Sequence, residues 1–325
     1  MRIAGIDVLR AIAVYIMLIA NATPYLFPGV TNFVFRLICS CAAPIFIALS
    51  GYTFAIKPCK KKAINGFLII ISAVLIDILA WNIPPFQTFD VLYVIGFGQI
   101  LLYFIYQFKV YKQVLILFCI FFVFIFLEWP YRFEIKDPTW DFIIPDVKRW
   151  LFDGWFPLWP WIVIVYFGYL LNIYKLKFNI FNAPTHIIST LLIMVSVFWI
   201  YHDKLNQPLR QGYVEIFYPL NLACISFALL INFLLIGLFT VIKNFNSLVL
   251  FCALPGKHSL FVYILHVILI NYFIIPMTKI QLSVFWILIC YFVFILMGLF
   301  ILNKILKSKK ITLIPFWFRK ILGLN

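Results

Sequence analysis

The sequence predicts an all-α, polytopic membrane protein of about ten transmembrane helices with both termini in the cytoplasm. Three observations predict it. Hydrophobic residues make up 65% of the chain and charged residues 11%, less than half the charge of an ordinary soluble domain. Apolar runs of about 20 residues, each long enough to cross a hydrocarbon core, recur along the whole chain. Basic residues crowd alternate connections between those runs, as the positive-inside rule requires.

The net charge of +15 therefore reads as topology, not as a nucleic-acid surface. With the N-terminus inside, the cytoplasmic segments hold Arg2, Lys57, Lys60, Lys61, Lys62, Lys109, Lys112, Lys175, Lys177, Lys243 and Lys257, then the tail residues Lys304 to Lys320. The outer connections hold fewer: Arg132, Lys136, Lys148, Arg149, Lys204, Arg210 and Lys279. A basic inner face attracts anionic headgroups, and equally a phosphorylated cytosolic substrate. The seven cysteines fall in spans or on the inner side, so a disulfide framework is not expected. No CxxC or His/Cys spacing points to a metal. Residues 1–305 read as one membrane domain and residues 306–325 as a basic cytoplasmic tail.

The spans are expected near 5–24, 33–56, 64–82, 90–107, 113–129, 156–174, 186–201, 216–242, 257–277 and 283–304. The first leads directly into further spans and has no small-residue cleavage site, so it reads as a span and not a signal peptide. Helical spacing puts Asp7, Arg10, Val14, Met17 and Asn21 on one stripe. A stripe polar near both ends should face other helices or a water-filled cavity. The second span carries Arg36 and Pro44, and the proline is expected to kink it. Asp77 lies in the outer half of the third span, where a carboxylate needs a partner; a buried pair with Arg36 is one candidate. Asp90 opens the fourth span. The fifth is rich in Phe and Ile and reads as lipid-facing.

The long outer loop Pro130 to Trp155 mixes Trp140, Trp150 and Trp155 with Asp141, Asp146 and Asp153. Aromatic faces beside carboxylates suit a sugar, and they equally suit a segment lying in the membrane interface. The sixth span opens with Trp159 in FPLWPW, and the eighth with Tyr218 and Asn221. The eighth run is long and is expected to be tilted or broken. The ninth opens with Lys257 and His258 at the inner surface. Tyr263 and His266 follow one turn apart, with His266 near mid-membrane.

Sorted by depth, the polar residues form an inner set (Asp7, Arg10, Ser50, Lys57, Lys257, His258) and an outer set (Asn21, Arg36, Asp77, Asp90, Tyr218, Asn221), with His266 between them. Histidine is the natural proton acceptor near neutral pH, and a neutral histidine bonded to a neighbouring helix is the structural alternative. Arg10 beside Asp7 could bind phosphate bidentately or lock the first span as an ion pair.

The motifs resemble those of the transmembrane acyltransferases, in particular the heparan-α-glucosaminide N-acetyltransferase-like branch. Ile6-Asp7-Val8-Leu9-Arg10-Ala11 is similar to the branch's (L/I)DxxRG opening. FVFRLICSCAAPIFIALSGY resembles its second span, and Asp90 to Gly96 its fourth. FPLWPWIVIVYFGY, Tyr218-Pro219 and GKHSLFVYILH resemble three later motifs. The resemblance implies transfer of an acyl group, usually acetyl, from cytosolic acetyl-CoA to a glycan hydroxyl or amine on the far side, with no metal. It implies Arg10 at the CoA phosphates, with Asp7, Lys257 and His258 beside it, and Arg36 and His266 along the tunnel. His266, Asn21 and Arg36 are then the candidate catalytic residues, and Asp77, Asp90, Trp159, Tyr218 and Asn221 the candidate acceptor-binding ones. The implied setting is a bacterial inner membrane, with an envelope glycan or lipid-linked sugar outside and membrane lipids around. The chain departs at two places. Ala11 replaces a glycine, and Asn21 stands where many relatives carry histidine, with no histidine from Asn21 to Asn32. The chain is then either inactive or dependent on His266. A transporter of a lipid-linked sugar or small anion, or a relative that only binds, would use the same polar axis without covalent chemistry.

Overall fold

In the computed structural model, residues 3–30, 32–109, 112–113, 115–116, 119, 150–151, 155–174, 183–204, 214–217, 220–242, 244–307 and 315–321 are described. Among them the architecture is all-α, without a strand. Six apolar segments are long enough to cross a membrane: Ala4–Leu26, Phe33–Ile56, Lys60–Trp81, Leu222–Val241, Ser259–Lys279 and Val284–Leu306. Three shorter apolar helices, Val91–Ile105, Leu158–Ile173 and Ile188–Asp203, join them among the described residues. The expected fifth span near 113–129 falls almost wholly outside the described residues.

In chain order the helices are α1 (Ala4–Leu26), α2 (Phe33–Ser40), α3 (Ala42–Ile56), α4 (Lys60–Ile76), α5 (Val91–Ile105), α6 (Leu158–Ile173), α7 (Ala183–Lys204), α8 (Leu222–Val241), α9 (Ser247–Cys252), α10 (Leu254–Lys257), α11 (Ser259–Leu269), α12 (Ile275–Lys279), α13 (Val284–Lys307) and α14 (Phe316–Ile321). π-helical turns extend α4 through Asp77–Trp81 and join α11 to α12 through Ile270–Ile274.

Three boundaries differ from the sequence expectation for physical reasons. The second span breaks at Cys41, between α2 and α3, and not at Pro44. Pro44 thereby falls in the first turn of α3, where its missing N–H costs nothing. The eighth span starts only at Leu222, because Asn221 caps it: its Oδ1 accepts from Cys224 N at 2.9 Å. Residues 214–217 are non-helical, and Val214, Ile216 and Phe217 are buried. The three lysines expected in an inner loop, Lys60 to Lys62, form the first turn of α4.

Lipid tails give helices no hydrophobic reason to associate, so close packing through small residues holds such bundles together. The α3–α6 contact is the tightest case. A Cβ on Gly51 would lie 1.8 Å from the Val165 carbonyl oxygen, and one on Gly168 would lie 1.9 Å from that of Ala48. At the inner end, a Cβ on Gly256 would lie 2.1 Å from the Asp7 carbonyl oxygen and 2.4 Å from Ala11 N. This contact seats α10 against α1 immediately before α11 begins. The C-terminal helix α14 also packs on the bundle: Ile321 is buried and its carbonyl accepts from Ser72 Oγ at 2.8 Å.

Candidate active site

The stripe on α1 faces inward as its spacing predicts: Val14 and Met17 are buried, and Asp7, Arg10 and Asn21 are half-buried. At the inner end Arg10 Nη1 lies 3.3 Å from Asp7 Oδ1, within one helical turn. Lys62 stands within electrostatic reach of Arg10. Lys257 closes α10, and His258 is buried beside it.

About 16 Å beyond Arg10 along α1, at 1.5 Å per residue, Asn21 meets the ninth span. Asn21 Nδ2 lies 3.0 Å from His266 Nε2, and His266 is fully buried. With Asn21 donating, Nε2 is the unprotonated ring nitrogen. The ring packs edge-on against Tyr263, with centroids 4.9 Å apart. The Tyr263 hydroxyl donates to Asp90 Oδ2, while Asp90 Oδ1 accepts from Val91 N at 2.6 Å. Four side chains from α1, α11 and the head of α5 thus form one chain of contacts. They line a single cavity with Glu215 and the aromatic walls Trp81 and Trp155. Trp81 and Trp155 meet edge to face at 5.7 Å.

The outer wall of the cavity depends on Asp77. This carboxylate is 1% exposed. It accepts from Thr88 Oγ1 at 2.7 Å and from the Tyr93 hydroxyl at 2.6 Å. The turn it grips contains three non-glycine residues with left-handed φ: Asn82, Phe86 and Phe89. Such backbone persists only where surrounding contacts over-determine it. Here they include Phe86 N donating to the Tyr93 hydroxyl at 3.1 Å. Trp155 N and Phe156 N also donate to the Thr88 and Phe89 carbonyls, each at 2.9 Å. The result places Trp81, Asp90 and Trp155 around one opening.

The expected Arg36–Asp77 pair does not form. Arg36 Nε donates to the Val214 carbonyl at 3.3 Å, and Asp77 is served by hydroxyls. Arg36 is buried on α2 and lies outside the cavity lining. Trp159 packs at the start of α6, also outside that lining. Asn221 caps α8 and its Nδ2 donates to Asp203 Oδ2 at 2.6 Å. Tyr218 lies outside the described residues, as do Trp140, Asp141, Asp146 and Asp153 of the long outer loop. Trp150 packs against Phe86. Sequence reasoning missed Glu215 and Trp81 as cavity residues. Glu215 carried a signal, being a lone acid between Val214 and Ile216 at the mouth of an apolar run.

Fold and site together define an integral membrane protein with a buried, histidine-centred polar site toward one face and a basic opposite face. The model of the heparan-alpha-glucosaminide N-acetyltransferase catalytic domain matches residues 2–203. The chain belongs to that family of membrane acetyltransferases. The match spans Asp7, Arg10, Asn21, Arg36, Asp77, Asp90 and Trp159; Glu215, Tyr263 and His266 lie beyond it. No curated protein matches the chain.

Proposed function

We propose that the chain moves an acetyl or other acyl group from cytosolic acyl-CoA to a hydroxyl or amine of a cell-envelope glycan, at a bacterial inner membrane. The observation that carries this reading is the Asn21–His266 pair, buried in a cavity with Tyr263 and Asp90. The family name points to a glucosaminide amine as the first acceptor to test. The acceptor's oxygen or nitrogen attacks the thioester carbonyl, the C–S bond breaks, and CoA leaves as its thiol. The acceptor displaces the Asn21 amide from His266 Nε2, and the freed Nε2 takes the acceptor's proton and returns it to the departing sulfur. General base catalysis of this kind contributes about 10²–10⁴-fold.

Asn21 orients the imidazole and holds the proton-accepting nitrogen toward α1. Tyr263, anchored on Asp90, fixes the other side of the ring. Arg10, Lys62 and Lys257, with Asp7 and His258 among them, supply the cationic inner end that suits the donor's phosphates. Asp77 and Asn221 hold the backbone around the acceptor's side, and Trp81 and Trp155 offer it aromatic faces.

A ligand that binds only the folded protein raises its melting temperature. Detergent-purified protein is expected to melt higher with increasing acetyl-CoA, and Arg10→Ala to lose most of that rise. No rise with acetyl-CoA or longer acyl-CoAs up to about 1 mM, the upper end of ordinary KM values, would overturn the donor site. A transporter or binding-only role would then stand in its place.

A further inference from the structure

We infer that Glu215 is the residue that positions the acceptor, and that Arg36 and Ser40 exist to aim it. This rests on the acyl-transfer reading and names the group that holds the second substrate.

The residues on either side of Glu215 are tied to α2 by buried polar groups. Arg36 Nε donates to the Val214 carbonyl at 3.3 Å. Ile216 N donates to Ser40 Oγ at 2.8 Å, and that hydroxyl in turn donates to the Arg36 carbonyl at 2.8 Å. Arg36 is 6% exposed and Ser40 1%. Burying a guanidinium in a membrane bundle to hold one backbone carbonyl is costly, so the position of that backbone matters. Val214, Ile216 and Phe217 are buried as well, which locks the segment from both sides. Glu215 alone of these four residues lines the cavity that contains Asn21, His266, Asp90 and Tyr263.

Asp90 is poorly placed for the same task. Its two oxygens serve the Val91 N–H and the Tyr263 hydroxyl. Glu215 comes from a different segment, and its carboxylate can accept hydrogen bonds from a sugar's hydroxyl or ammonium groups beside the aromatic walls. Charge-assisted bonds of this kind are about twice as strong as neutral ones.

The test is steady-state acetyl transfer from acetyl-CoA to D-glucosamine and to D-glucose by the detergent-purified full chain. Glu215→Gln is expected to raise the acceptor KM about tenfold, the effect of losing one charged hydrogen bond. The KM for acetyl-CoA and the melting temperature should stay as in the wild type. Glu215→Asp should fall between the two. Arg36→Gln should raise the same acceptor KM, and adding Glu215→Gln to it should raise it no further, because both changes remove one interaction. An unchanged acceptor KM in Glu215→Gln would overturn the inference and leave acyl transfer standing. No transfer to either sugar by the wild type would overturn the acyl-transfer reading for these acceptors, and this inference with it.

Discussion

At the residue scale the site is a relay of short contacts, and each member holds the next. Asn21 and Tyr263 grip His266 from two helices, and Asp90 grips Tyr263. Replacing Tyr263 with Phe removes the hydroxyl but keeps the ring against His266. It also leaves an Asp90 oxygen without this donor, a loss of about 1–3 kcal/mol for a group taken out of water. We expect kcat to fall about tenfold or more with the protein still folded, which single-turnover and melting measurements together would show. His266 and Asn21 were legible because a titratable or amide side chain inside an apolar run needs a reason. The partners of Arg36 and Asp77 were not. Charge counting offers each to the other, whereas the bundle gives Arg36 a backbone carbonyl and Asp77 two hydroxyls. Such partners carry no charge signal in a sequence.

At the scale of elements, the strained turn between α4 and α5 is the piece most exposed to a single change. Asp77→Ala would leave the buried Thr88 and Tyr93 hydroxyls without their acceptor while Phe86 and Phe89 keep their left-handed backbone. A loss of about 2–6 kcal/mol is expected from two such groups, read as a lower melting temperature in detergent. A merely raised acceptor KM with full stability would instead put Asp77 in contact with substrate. Among the described residues, span positions were legible from hydropathy because every apolar run of the right length must bury its backbone in a helix. The break at Cys41 and the late start of α8 were not, because each depends on a local cap or a proline register. Glycine contacts such as Gly51 and Gly168 were also hidden, since they appear only once the neighbouring helix is known.

For the whole molecule, the two polar ends, at Arg10 and Asn21, lie about 16 Å apart along α1, with cations at the inner end and carboxylates and His266 toward the outer one. The charge distribution across alternate connections predicts which end faces the cytoplasm. Which outer-set residues share a cavity could not be read from depth alone; the structure gathers Asn21, Asp90 and His266 and adds Glu215 from a segment before α8. The separation supports the proposal that donor and acceptor are met from opposite faces, with His266 at the meeting point. The most direct measurement is acetyl transfer in proteoliposomes, with radiolabelled acetyl-CoA outside and D-glucosamine sealed inside. Labelled sugar should accumulate in the lumen with wild-type protein, and His266→Ala at equal protein level should lower the rate by about 10²-fold or more. Equal labelling by His266→Ala, or labelled sugar only when acetyl-CoA and sugar share one compartment, would contradict it.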